Sequence, residues 1–216
     1  MLMNNRIFWL VIILSVLTIG FSSCAKDTEV VDPYANWKER NEDFIKSLAE
    51  DSLNNPESDG VWRKYPNYKI KFDEQINNPI QTYEYKDYDY VYVKYASESD
   101  ILDLEQGQEP LINYSDTVSV AYQGFLINDV RFDGNYYGTF DKEVNDNFTK
   151  FGVSEVVVGW TTALMNMKPG MSDAATVYIP YQMGYKEAGS GSTIKGYSTL
   201  IFKLYIDEVI HPDVDQ

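Results

Sequence analysis

The residues of this chain that could do chemistry are mostly rings. Tyr122, Phe132, Trp160, Tyr185 and Phe202, with Val156, Val157 and the carboxylate of Asp133, fall in short stretches of the C-terminal half: VAYQGFL, RFDG, EVVVGWTTALMNMKPG, IPYQMGY and YSTLIFKLYIDEV. Such a set offers no nucleophile and no imidazole base. The one histidine, His211, stands in a polar tail beside Pro212, and a chain with a single His and a single Cys cannot assemble a histidine-dependent triad or a His/Cys zinc site. The stretch DGNYYGTFDKEV spaces Asp133, Asn135, Gly138 and Asp141 like calcium-loop ligands. Tyr137 interrupts that series, and Val144 stands where the bidentate acid is required. Glycine-rich phosphate motifs are absent from the sequence as well. What survives is this set of aromatic and apolar side chains, which could line an apolar socket.

A socket of this kind needs a sheet and a helix to hold it. From Thr117 the text TVSVAYQGFL alternates Val118, Val120 and Tyr122, and AATVYIP and TLIFKLYIDEVI alternate in the same way, so these stretches read as strands. The run after Trp160 has helical length and is followed by Pro169-Gly170. Together they predict an α+β domain, an antiparallel sheet with one helix packed on it. Upstream, tyrosines at 83, 85, 88, 90, 92 and 95 predict a strand over Tyr88, Tyr90 and Tyr92 with one aromatic face. That face could stack on sugars, but a strand covering a core explains it without a ligand. Asn36 reads as the N-cap of an amphipathic helix to Leu53, with Trp37, Phe44, Ile45, Leu48 and Ser52 on one side, and NNPESDG ends it. The rest of the segment up to residue 81 carries mixed signals.

The first residues, MLMNNRIFWLVIILSVLTIGFSSC, carry one positive charge at Arg6, an apolar run from Ile7 to Phe21, and small residues before Cys24. The run is shorter than the roughly 18 residues of a spanning helix, so it reads as a signal peptide. Phe21-Ser22-Ser23-Cys24 resembles a bacterial lipobox, which implies lipidation of Cys24, a membrane held through that lipid, and a cell-envelope location facing the periplasm or the surface. A plain cleaved signal or an uncleaved anchor is the alternative. With Cys24 the only cysteine, no disulfide can form within the chain. The chain has 18 basic and 33 acidic residues, a formal charge of −15; cleavage before Cys24 removes Arg6 and no acid, leaving 17 against 33, or about −16. That excludes a nucleic-acid partner, whose phosphates need a basic footprint, and excludes adhesion to anionic lipid by charge.

The aromatic stretches, in this order, resemble the FKBP-type peptidyl-prolyl cis/trans isomerases over about the last hundred residues, with no gap from Gly152 to Phe202. The resemblance implies a five- or six-stranded sheet wrapped around one short helix, with an N-terminal helical appendage. It places Trp160 as the floor of a catalytic pocket, Tyr122, Phe132 and Phe202 as walls, and Val156 and Val157 at the rim. The Val157 N–H and the Tyr185 hydroxyl would bind the substrate, Asp133 would sit beside the twisting amide, and Ile194 would close the pocket. Asn147 falls where a wall phenylalanine is common, so Phe148 would serve if its strand carried a bulge. The segment Gly134–Lys150 is longer than the family's usual loop, Lys186 follows Tyr185 where glycine is usual, and Lys195-Gly196 replaces a common Pro-Pro. No cofactor is implied. The implied partners are proline-containing segments of exported proteins; the N-terminal helix either docks on its own domain or pairs with a second copy, and its shortness favours self-docking and a monomer. Isomerase and peptide-binding or chaperone module with little turnover both stay open. The expected organisation is a signal peptide (1–23), tether (24–35), helical and irregular segment (36–81), isomerase-like domain (82–211) and tail (212–216).

Overall fold

The computed structural model describes residues 32–54, 60–76, 83–102 and 110–212. The segment expected to be a signal peptide, Cys24, most of the expected tether and the residues beyond Pro212 lie outside the described residues. The chain divides into Met1–Ala35 and Asn36–Gln216, and the elements below belong to the second unit. Its strands are β1 (Val61–Pro66), β2 (Tyr90–Tyr95), β3 (Thr117–Phe125), β4 (Arg131–Gly134), β5 (Thr149–Gly152), β6 (Ala175–Ile179) and β7 (Leu200–Ile210). They form one sheet in the order β1-β2-β6-β7-β3-β4, with β5 also paired to β3, and every pairing is antiparallel. The long β3–β7 pair, from Thr117↔Ile210 to Phe125↔Ile201, is its spine.

Helices cover both faces. On one side α1 (Trp37–Asn54) sets Ile45 and Leu48 against Tyr92, with Phe44, Trp62 and Tyr178 around them. Strand alternation turns Val91 and Val93 to the opposite face, where Ile179 meets the short helix α3 (Val158–Leu164). Gly159 permits that approach: a Cβ there would lie 2.2 Å from Ile179 Cγ2. A further helix, α2 (Tyr68–Ile76), packs beside α3. No helix among the described residues is long and apolar enough to cross a membrane.

Three features depart from the sequence-based expectations. β1 pairs with β2 along its whole length, Val61↔Tyr95 to Pro66↔Tyr90, so the sheet begins inside the segment that sequence leaves unassigned and has seven strands. Tyr88 is not in the aromatic strand; it sits in a 3-10 turn, Asp87–Asp89, and is exposed. Finally, α3 ends at Leu164, before the Pro-Gly pair. Asn166 Nδ2 caps the Thr162 carbonyl at 2.7 Å, and Gly170, at φ 68, donates its N–H to the Ile206 carbonyl at 2.8 Å.

Candidate active site

The spine of the sheet and α3 supply the rings of a box. β3 contributes Tyr122, β4 Phe132, β5 Phe151 and β7 Phe202, while the first turn of α3 raises Trp160 between them. The register sets Gly124 opposite both Phe202 and Asp133. A Cβ on Gly124 would lie 2.7 Å from the Phe132 ring and 2.9 Å from that of Phe202, so the absent side chain is the space these rings fill. Trp160, 4 % exposed, has ring-centroid separations of 5.5 Å to Tyr122, 5.4 Å to Phe151 and 5.1 Å to Phe202. Phe132 meets Phe202 at 5.5 Å and 88°. Edge-to-face contacts of this kind keep rings upright around an opening instead of collapsing them into a stack. The opening is a cavity of about 410 Å³ completed by Asp133, Glu155, Val156, Val157 and Tyr185.

Polar groups are few and directed. Tyr122 and Asp133 line the cavity together; burial of the phenol, followed by the charge of Asp133, pushes the Tyr122 pKa up to about 12. Asp133 Oδ1 also accepts the Gly134 N–H at 2.8 Å, which holds the carboxylate at the cavity edge. Val157 stands just ahead of α3 in extended conformation (φ −61, ψ 150), and its N–H meets no acceptor among the described residues. The Tyr185 hydroxyl likewise has no partner among them, and its side chain is partly exposed at the cavity mouth. The indole N–H of Trp160 is buried without an acceptor. An aromatic box with two free donors at its rim and one oriented carboxylate can desolvate a planar group and hold its carbonyls.

Of the residues singled out from sequence, Tyr122, Phe132, Asp133, Val156, Val157, Trp160, Tyr185 and Phe202 all line this cavity. Phe148 does not. The β3–β5 register, Val120↔Thr149 and Val118↔Phe151, carries no bulge, so period-two alternation sends Thr149 and Phe151 to the cavity face and Phe148 to the other. Phe151, the residue next to Gly152, is the wall. Ile194 is also outside the lining. Its loop is pinched by a Ser190↔Ile194 bridge that folds the tip back on itself, and Ile194 is buried there. Glu155, at the cavity edge, carried no sequence signal apart from its place before the valines. In the long segment after Gly134, Tyr136 and Phe140 are buried, with Phe140 stacked 4.5 Å from Tyr205, whereas Tyr137 is exposed under the Arg131 guanidinium at 4.0 Å.

Comparison with known proteins matches residues 109–207 to the family model of the FKBP-type peptidyl-prolyl cis-trans isomerase. Over 109 residues, 50% of this chain, the sequence is 36% identical to the peptidyl-prolyl cis-trans isomerase Mip of Coxiella burnetii, of which the match covers 43%. It is 32% identical over 109 residues to an FK506-binding protein of Neisseria meningitidis serogroup A, where the match takes in 94% of that relative. The matched part is thus less than half the length of the first of these relatives and nearly all of the second. A solved peptidyl-prolyl cis-trans isomerase from Pseudomonas syringae pathovar tomato is similar in fold, with a TM-score of 0.50, 17% identity, and coverage of 81% of this chain and 96% of that one.

Proposed function

The chain belongs to the FKBP-type peptidyl-prolyl cis-trans isomerase family, and from that premise we propose that it accelerates cis/trans isomerisation of X-Pro bonds in exported proteins at the cell envelope. The observation that carries the reading is the ring box around Trp160, with the Val157 N–H and the Tyr185 hydroxyl at its rim meeting no acceptor among the described residues. Rotation about a peptide bond faces a barrier of about 18–20 kcal/mol from amide resonance. At X-Pro bonds the unaided process takes tens to hundreds of seconds. No covalent chemistry is needed to lower it. Twisting the amide removes charge separation from its carbonyl, so a water-free pocket disfavours the planar ground state relative to the twisted one.

In this mechanism the proline ring rests on the Trp160 indole between Tyr122, Phe132, Phe151 and Phe202. The Val157 N–H and the Tyr185 hydroxyl donate to substrate carbonyls and fix which bond is twisted. Asp133, held by the Gly134 N–H, sits beside the rotating amide. Val156 shapes the rim. The protein acts as a monomer, a reading supported by α1 turning Ile45 and Leu48 onto its own sheet. A lipid on Cys24 anchors it, with the leader and lipobox as support.

Turnover of a proline tetrapeptide by the chain from Ala25 onward tests the enzyme; a rate equal to the spontaneous one, with peptide still quenching Trp160 fluorescence, would leave a peptide-binding module. For the anchor, Cys24→Ser should abolish fatty-acid labelling and release the protein from membranes. Labelling that persists refutes it.

A further inference from the structure

One face of α1 grips the loop that carries Tyr185. That loop leaves the turn Tyr181–Met183 and returns at Leu200 as β7. Its neck is closed by hydrogen bonds from the Tyr197 N–H to the Lys186 carbonyl and from the Lys186 N–H to the Tyr181 carbonyl, each 2.9 Å, and by the Tyr181–Tyr197 ring pair at 5.2 Å. Lys186 and Tyr197 sit at φ 56 and 64, a region that residues with a Cβ hold only when their surroundings over-determine it. The surroundings here are α1. The Trp37 indole donates to Ser198 Oγ at 2.9 Å, and Ser198 in turn donates to the Lys195 carbonyl at 2.6 Å. Asn41 Oδ1 accepts the Thr199 N–H at 2.7 Å while its Nδ2 donates to the Trp37 carbonyl at 2.7 Å. Tyr181 donates to Glu42 at 3.2 Å, and Lys38 lies 5.1 Å from the Tyr197 ring centre.

Residues 37, 38, 41 and 42 share one helical face, distinct in its task from Ile45 and Leu48. Asn41 is the informative member: it is 0 % exposed, and its amide oxygen and nitrogen are each bonded to backbone. A buried carboxamide bridging helix and loop specifies geometry in a way that an apolar side chain does not. We infer that Trp37 and Asn41 are positioning residues of the active site, holding the loop neck so that the Tyr185 hydroxyl faces the proline pocket. The inference rests on the isomerase reading above and assigns α1 a part in the reaction.

The test is a double-mutant cycle in the full-length chain in detergent. Asn41→Leu and Trp37→Phe are each made alone and together with Tyr185→Phe. Each single change should lower kcat/KM for a proline tetrapeptide by about three- to tenfold, the effect of misplacing one hydrogen bond. In the Tyr185→Phe background the same changes should cost less than about twofold, because the residue they act through has lost its donor. Losses that simply multiply in the cycle overturn the inference. Trp37→Phe removes the indole N–H together with the five-membered ring and leaves a phenyl ring in the buried site, so it carries the test should Asn41→Leu fold poorly. Amide exchange gives a readout free of turnover: the Lys186 and Tyr197 N–H groups should exchange more than about tenfold faster in either variant, with β3 amides unchanged. Unaltered exchange there also overturns it. A wild-type chain that binds the peptide without turning it over removes the isomerase reading alone, and the cycle is then read in peptide Kd with the same two outcomes. Neither binding nor turnover overturns both.

Discussion

Around Trp160, aromatic rings meet edge to face and leave a cavity of about 410 Å³, whereas between Tyr83 and Tyr95 rings also meet at 5.2 and 5.4 Å but the hydroxyls of Tyr83, Tyr85, Tyr92 and Tyr95 are tied. In the second region Tyr85 donates to Glu74 at 2.8 Å, Tyr83 to Asp89 at 3.1 Å and Tyr92 to the Asp87 carbonyl at 2.9 Å, while Tyr95 pairs with Tyr65 at 3.0 Å. In the first, the Tyr185 hydroxyl, the Val157 N–H and the Trp160 indole find no acceptor among the described residues. Space alone does not separate the two. A larger cleft of about 730 Å³ lies between α1 and the Glu84–Tyr88 segment, but five charged side chains, Glu42, Lys46, Glu84, Lys86 and Asp87, line it, against two, Asp133 and Glu155, in the ring box. The lesson is that rings make a site only where their enclosure is dry and the donors around it are left without protein partners.

The harshest way to break this contrast is Trp160→Leu. It should weaken proline-peptide binding by more than tenfold, on top of a stability loss of about 1–3 kcal/mol for the lost ring volume. Binding that survives at wild-type affinity, measured by calorimetry, would make the box an ordinary core. Next in size is the wall: Phe151→Ala should lower affinity by about tenfold, and Phe148→Ala should stay within about twofold, since only the first ring faces the cavity. Reversed effects would mean that β5 is out of register.

A matched pair of hydroxyl deletions sharpens the comparison further. Tyr185→Phe should reduce turnover by about two- to tenfold with an unchanged thermal midpoint. Tyr85→Phe should cost about 1 kcal/mol of stability and leave turnover alone, because each hydroxyl contributes one hydrogen bond, to substrate in one region and to Glu74 in the other. The smallest effect is on titration. Tyr122 ionises at about 12 in the folded protein against 10.0 unperturbed, so the stability it contributes is complete below pH 10 and is lost as pH rises toward 12. Asp133→Asn removes the charge that adds to this elevation and should bring the Tyr122 tyrosinate absorbance to lower pH, with Tyr122→Phe as the blank. An unmoved titration would separate Tyr122 from Asp133.

Much of the pocket was legible because its parts are local patterns. The VVVGW run, the alternation in β3 and β7 and the polar-apolar spacing of α1 each follow from neighbours a few residues apart, and a pocket built on such elements keeps its residues in readable order. Phe148 stands three positions before the wall, Phe151; an odd step along a strand changes face, and only the β3–β5 pairing says which parity points inward. Ile194 was misplaced because the path of its loop depends on the Ser190 bridge. Asn41 went unnoticed as a polar residue on a helix that already had an apolar face.

By itself the sequence determined an acidic chain with one cysteine, one histidine and an ordered series of aromatic stretches, and hence an apolar-pocket chemistry without nucleophile or imidazole base, because composition and local periodicity do not depend on distant contacts. The tertiary structure alone decided that β1 closes onto β2, that Phe151 is the wall, and that Asn41 and Trp37 reach Thr199 and Ser198 across more than 150 positions of chain. Those are pairings between segments far apart in sequence. Their free energy comes from burial and hydrogen bonds that exist only once the chain has closed on itself, and no short window of residues encodes them.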